Sequence, residues 1–176
     1  MMRRVGWRVD GELPDLPKYV LIGAPHTSNW DFVLFLGVIF SLRANVRFLG
    51  KSELFRFPMG WFFRYCGGIP VDRKKSTGLV EQTVKACNES EHFILTIAPE
   101  GTRHHVNEWK HGFYYIAKQA RIPIVIAVVD GKHKAVHIGQ VFHPTEDMEA
   151  DMKAIKGVFE GVTGIHPSRK YITLRG

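Results

Sequence analysis

The sequence predicts an α/β fold: a single, mostly parallel central sheet of about seven strands, flanked by helices. Three observations carry this expectation. Short runs of branched apolar residues alternate along the chain with amphipathic stretches of helical period. Two of the runs, Ile94–Ala98 and Ile122–Val129, are apolar almost without interruption, as strands covered on both faces of a parallel sheet are. The 176 residues hold no linker, repeat or low-complexity stretch, so residues 1–176 read as one domain.

The elements follow in order. Val5, Trp7 and Val9 alternate with Gly6 and Arg8, a weak strand signal over Val5–Val9. Tyr19–Gly23 is the first long strand, and the apolar helix Phe32–Leu42 follows it. Asn45–Leu49 and Ile69–Val71 are the next strand candidates, with an aromatic-rich segment between them. Leu79, Val80, Thr83, Val84 and Cys87 share one face of a helix over about Thr77–Glu89. His92–Ala98 is a strand, and Phe113, Ile116, Ala117 and Ala120 stripe a helix across Trp109–Ala120. Pro123–Val129 and Val136–Phe142 complete the strands. A last helix starts behind Thr145, with Glu146 and Asp147 expected in its first turn and Met148, Met152, Ile155 and Phe159 as its apolar stripe.

Composition narrows the function class. Apolar residues make up 45% and charged residues 23%, a globular balance that excludes disorder. Twenty-four Lys and Arg against 17 Asp and Glu give a net charge of +7, beside 12 Phe, 5 Tyr and 4 Trp. A basic, aromatic-rich chain points to nucleic acid, an anionic membrane surface or a phosphorylated substrate. Cys66 and Cys87 read as reduced core thiols of a cytoplasmic protein. Met1–Trp7 carries charge with no apolar stretch behind it, so no signal peptide is expected. Phe32–Phe40, the longest apolar run, is far short of the roughly 20 residues of a spanning helix.

In open α/β sheets ligands gather at the carboxyl ends of strands, so the loops there are the place to look for chemistry. After the first long strand comes Ala24-Pro25-His26-Thr27-Ser28-Asn29-Trp30-Asp31. A His with a carboxylate behind it acts as a general base, the carboxylate fixing the tautomer and stabilising the imidazolium. Ser28-x-x-Asp31 before an apolar run is equally a capping box, in which Asp31 serves only backbone donors and the helix dipole. Ala98-Pro99-Glu100-Gly101-Thr102-Arg103 reads as a type II turn or as an anion site built from turn N–H groups, a Thr hydroxyl and an Arg fork. Gly67–Val71 runs into Asp72 and three cations, Arg73, Lys74 and Lys75, a solvated edge or a phosphate site.

In order, His-x4-Asp, Gly-x-Ile-x-Val-Asp-Arg, Pro-Glu-Gly-Thr-Arg and Ile-Pro-Ile-Val resemble the four-block signature of the glycerolipid acyltransferases. That family includes the glycerol-3-phosphate and lysophosphatidic acid acyltransferases, and this chain resembles a short bacterial-type member. The blocks run from His26 to Val125, about 100 of the 176 residues. The resemblance implies transfer of a fatty acyl group from acyl-CoA or acyl-carrier protein to the hydroxyl of a lysophospholipid such as 1-acyl-glycerol-3-phosphate. It implies His26 as the base and Asp31 as its orienting partner. It further implies that Arg73, Glu100, Gly101, Thr102 and Arg103 bind the acceptor's phosphate-bearing head, and that Ile122, Pro123 and Ile124 shape the acyl-donor side. No acyl-enzyme is implied, in keeping with the lack of a Gly-x-Ser-x-Gly elbow. Ala98, His104 and Pro70 depart from the family's usual residues, and the larger members' N-terminal membrane helices are not expected here. These departures leave the acceptor open among hydroxylated lipids, with a catalytically silent lipid-binding relative as the alternative.

The segment 54–65 carries Phe55, Phe57, Trp61, Phe62, Phe63 and Tyr65 with Arg56 and Arg64, either a kinked core helix or an interfacial element. With a lipid substrate implied, the interfacial reading predicts a cytoplasmic protein held peripherally on the inner face of the membrane. His104, His105 and His111 lack the spacing of a metal helix and read as surface histidines, so neither metal nor cofactor is expected beyond the acyl-thioester co-substrate. No helix gathers Lys and Arg on one face, which argues against nucleic acid.

Overall fold

The computed structural model describes residues 6–28, 30–42, 44–71, 78–102 and 108–166. Seven strands form one sheet in the order β1-β7-β6-β2-β5-β3-β4. They are β1 (Arg8–Asp10), β2 (Lys18–Ala24), β3 (Val46–Lys51), β4 (Gly68–Val71), β5 (Phe93–Ile97), β6 (Ile124–Asp130) and β7 (Ala135–Phe142). Every pairing is parallel except β6 with β7, an antiparallel pair with an irregularity at Ile126/Ala127. The mostly parallel sheet of seven strands is the architecture the sequence predicts.

Alternation along the central strands divides the core into two layers. Val20, Ile22, Leu95, Ile124 and Ile126 face α3 (Leu79–Asn88), α4 (Gly112–Ala120) and α5 (Met148–Gly157), meeting Cys87, Phe113, Ile116 and Ile155. Tyr19, Leu21, Val125 and Ala127 face the other way, toward Leu34, Val38 and Ile39 of α1 (Trp30–Leu42). Each fully buried branched side chain contributes about 1.5–3 kcal/mol, so the central strands β2 and β6 anchor both layers. Burial also pushes the Tyr19 hydroxyl up to about 12.

The element ends have local causes. Lys18 donates from Nζ to the carbonyl of Cys87 at 2.8 Å, placing a cation at the carboxyl end of α3. The last helix begins later than expected: Asp147 is its cap, accepting from Ala150 N at 3.0 Å, and Glu146 precedes it. Trp109 likewise stays outside α4, because its ring packs edge-on against Phe113 and Phe159 at the foot of the helix. The aromatic segment divides into a 3-10 turn, Ser52–Phe55, and a short helix, α2 (Gly60–Tyr65). Among the described residues no helix is long and apolar enough to cross a membrane.

Candidate active site

β2, β5 and β6 run side by side and in parallel, so the loops after Ala24 and Ile97 emerge at the same edge of the sheet. The first carries His26, whose Nδ1 lies 3.0 Å from Oδ2 of Asp31. The same oxygen accepts from Thr27 N at 2.6 Å and Ser28 N at 2.7 Å, while Ser28 Oγ accepts from Trp30 N at 3.2 Å. One carboxylate oxygen of Asp31 thus meets both the backbone donors before α1 and the imidazole. Asp31 is buried and His26 is partly open. The tautomer that donates from Nδ1 leaves Nε2 with a free lone pair, the state a general base needs.

The second loop places a carboxyl group against the backbone of the first. Glu100 Oε1 accepts from His26 N at 2.9 Å, across 74 residues of sequence. The side chain is buried, and burial pushes its carboxyl above the usual carboxylate range against the pull of the His26 N–H. Its Oε2 has no hydrogen-bond partner among the described residues. The loop is a turn closed by Gly101 N to Ala98 O at 3.0 Å. Its positive φ falls on Gly101, at 64°, and not on Glu100 at the third position, so the type II turn expected from Pro-x-Gly is not formed. The chain after α5 returns to this edge: His166 N donates to Thr27 Oγ1 at 3.1 Å, and a Cβ on Gly164 would meet that side chain at 2.6 Å.

A cavity of about 200 Å³ runs from His26 and Asp31 down between α1 and the sheet. Its walls are almost wholly apolar, with Leu34, Val38 and Ile39 on one side and Leu21 and Phe48 on the other. From Asp31 to Ile39 the helix descends about 12 Å at 1.5 Å per residue. A long apolar chain entering here would carry its head group to His26. The chain also matches the family described as Acyltransferase over residues 9–130.

The chain belongs to the glycerolipid acyltransferase family. It is 28% identical over 136 residues to the 1-acyl-sn-glycerol-3-phosphate acyltransferase of Streptococcus pneumoniae, covering 71% of this chain and 50% of that protein. Against the protein of the same name from Saccharomyces cerevisiae it is 33% identical over 119 residues, 63% of this chain and 38% of the other. The chain therefore spans half or less of the length of these curated relatives. The crystal structure of the 1-acyl-sn-glycerophosphate (LPA) acyltransferase PlsC from Thermotoga maritima shares the fold, with a TM-score of 0.65 at 20% identity, over 90% of this chain and 72% of that one.

The family's blocks are distributed unevenly over the site. His26, Asp31, Glu100, Gly101 and Thr102 gather at one sheet edge, whereas Arg73 and Arg103 lie outside the described residues, as do Lys74, Lys75, His104 and His105. The fourth block does not reach the cavity. Ile122 and Ile124 are buried in the layer under α4 and α5, on the opposite face of the sheet, because odd and even positions of a strand point to opposite faces. The contact from Glu100 to His26 N and the cavity wall along α1 were not foreseen from the sequence. The apolar run Phe32–Phe40 is the available signal for the wall. Among the described residues no group of three or more His, Cys, Asp or Glu is placed to hold a metal ion.

Proposed function

We propose that the chain is an O-acyltransferase that moves a fatty acyl group from an acyl thioester to the free hydroxyl of a lysophospholipid such as 1-acyl-glycerol-3-phosphate. The observation that carries this is the His26–Asp31 pair, 3.0 Å apart, at the mouth of an apolar cavity. Relatives of this chain are named for that reaction. His26 Nε2 takes the proton from the acceptor hydroxyl as its oxygen attacks the thioester carbonyl. Asp31 stabilises the imidazolium that forms. The tetrahedral intermediate then expels the thiolate, which recovers the proton from His26: a C–O bond forms, a C–S bond breaks, and no acyl-enzyme intervenes. The cavity holds the acyl chain, and the acceptor's phosphate is bound by Arg73, Arg103, Gly101 and Thr102.

Glu100 takes a different part from the phosphate-binding one that the resemblance implies. A carboxylate beside a phosphate is repulsive, and this carboxyl group is committed to His26 N. It is a positioning residue for the loop that carries the base. The acyl donor is acyl-CoA or acyl-carrier protein, and the reaction takes place with residues 1–176 acting as one acyltransferase domain, peripheral on the cytoplasmic face of a membrane.

The test offers acyl-CoA and acyl-carrier protein with a panel of lysolipids and follows products by mass spectrometry. Wild type forms the diacyl product, and His26→Ala loses about 100- to 10,000-fold in rate, the usual contribution of a general base. Equal product from both proteins would overturn the assignment of His26.

A further inference from the structure

One polar atom inside the cavity has no task in the reaction just described. Thr96 lies on β5 opposite Leu21 of β2 and Phe48 of β3, on the face that looks toward α1. It lines the cavity. Its Oγ1 is buried and has no hydrogen-bond partner among the described residues. A buried hydroxyl left unpaired is unfavourable, and Val fills the same shape without one. The walls at this level, Leu21, Phe48 and Val38, offer a ligand no other polar group.

We propose that Thr96 is a specificity-determining residue that hydrogen-bonds a hydroxyl carried part-way along the acyl chain, so that the cavity takes a hydroxylated acyl group. The inference rests on reading the cavity as the acyl site. A Thr hydroxyl donates and accepts, which matches an alcohol that does the same. Depth selects the position on the chain. Leu21, level with Thr96, lies three residues before Ala24 at the end of β2, or about 10 Å at 3.3 Å per residue. With the thioester carbonyl held at His26, a hydroxyl on the β-carbon stays near the mouth, and one about eight bonds along, at roughly 1.2 Å per bond, arrives at Thr96.

Calorimetric binding of decanoate, β-hydroxydecanoate and 9-hydroxydecanoate to wild type, Thr96→Val and Thr96→Ser tests this. The ratio of affinities for 9-hydroxydecanoate and plain decanoate falls about fivefold in Thr96→Val, the worth of one ordinary hydrogen bond. Thr96→Ser keeps the wild-type ratio, and the β-hydroxy acid shows no such change. Thr96→Ala replaces the Val variant if circular dichroism shows that the latter is misfolded. A ratio unmoved by loss of the hydroxyl, as a trapped water at Oγ1 would give, overturns the proposal, and so does an equal shift for the β-hydroxy acid. Turnover of the matching acyl-CoAs with lysophosphatidic acid is scored separately. A wild type that discriminates the acids yet transfers no acyl group refutes the acyltransferase reading and leaves the Thr96 assignment standing.

Discussion

Replacing Glu100 separates holding the loop from supplying a charge. Its Oε1 accepts the His26 N–H at 2.9 Å, and its Oε2 has no hydrogen-bond partner among the described residues. Glu100→Gln keeps an oxygen that can accept from His26 N, whereas Glu100→Ala leaves that N–H unpaired in a buried site. An unpaired buried donor costs about 1–3 kcal/mol. If the loop relaxes by that amount, kcat/KM of the Ala variant falls about 5- to 150-fold, at one decade per 1.36 kcal/mol. The Gln variant stays within about threefold of wild type. Stability against pH supplies the second readout. Burial raises the carboxyl pKa in the folded state, so the folded protein binds this proton more tightly than the unfolded chain does. The associated stability is complete below the unfolded value, near 4.3, and is lost as pH rises through the folded value. Glu100→Gln has no such loss and gains stability relative to wild type on going from pH 4 to pH 7, measured by urea unfolding. Gln activity as low as Ala activity would refute the positioning role and require an ionised or acidic group at this place.

Two further substitutions probe the base and the frame. Asp31→Asn keeps an oxygen for Thr27 N and Ser28 N but no charge for the imidazolium. A charge-assisted bond worth about 1.5–3 kcal/mol predicts a 10- to 150-fold fall in kcat/KM with folding intact. Wild-type rates for Asp31→Asn would leave Asp31 with capping alone. Tyr114→Phe removes the hydroxyl that donates to Asp151 Oδ2 at 2.7 Å, where Asp151 also accepts from Thr145 N and Thr145 Oγ1. Thermal unfolding should drop by roughly 3–10 °C. Although burial opposes the Asp151 charge, these hydrogen bonds outweigh it and hold the carboxyl below its usual range. Their stabilisation is present above the unfolded value, about 3.9, and is lost as pH falls through the folded one, so the deficit of Tyr114→Phe shrinks below about pH 4.

The strands were legible because burial on both faces leaves runs such as Ile122–Val129 with no polar interruption. Their ends were less so. Trp109 fits the helical spacing of Phe113 and Ile116, yet it stands before the helix because Phe159, fifty residues on, offers its ring a partner at 5.3 Å. A five-residue separation is enough to pair His26 with Asp31, but not to choose between a backbone and an imidazole partner, since one Oδ2 meets both. Glu100 was noticed for its motif and its contact was missed. Seventy-four residues separate it from His26, and only the parallel pairing of β2 with β5 sets the two loops side by side. The fourth block divides between the two layers in the same way: Ile122 and Ile124 differ from Val125 in which face of the sheet they meet.

Helix α1 is apolar apart from Asp31 and Ser41, and its two faces meet different surroundings. Leu34 and Val38 line the cavity, while Trp30, Val33 and Phe40 are exposed, Trp30 by 69%. A helix that served only the core would turn polar residues outward. Helix α2 packs beside α1 through Phe32 and Phe63, 5.7 Å apart. Around it Phe57, Trp61 and Tyr65 are exposed by 96%, 71% and 80%. Arg56 and Arg64 are exposed among them, the composition of an interfacial element. A lipid surface against this side would lie across one helix from the cavity. Phe57→Ser with Trp61→Ser then weakens partition to anionic vesicles. Two aromatics inserted half-way forgo about 1.5–3 kcal/mol together, or 10- to 150-fold, on the scale of a fully buried side chain. KM for vesicle-embedded lysophosphatidic acid rises with the loss of binding, and turnover of a soluble short-chain lysophosphatidate stays within about twofold. Flotation with vesicles and the two KM values decide the matter. Unchanged flotation would show that the aromatics serve another contact, and a fall in both activities alike would place them in the frame of the active site.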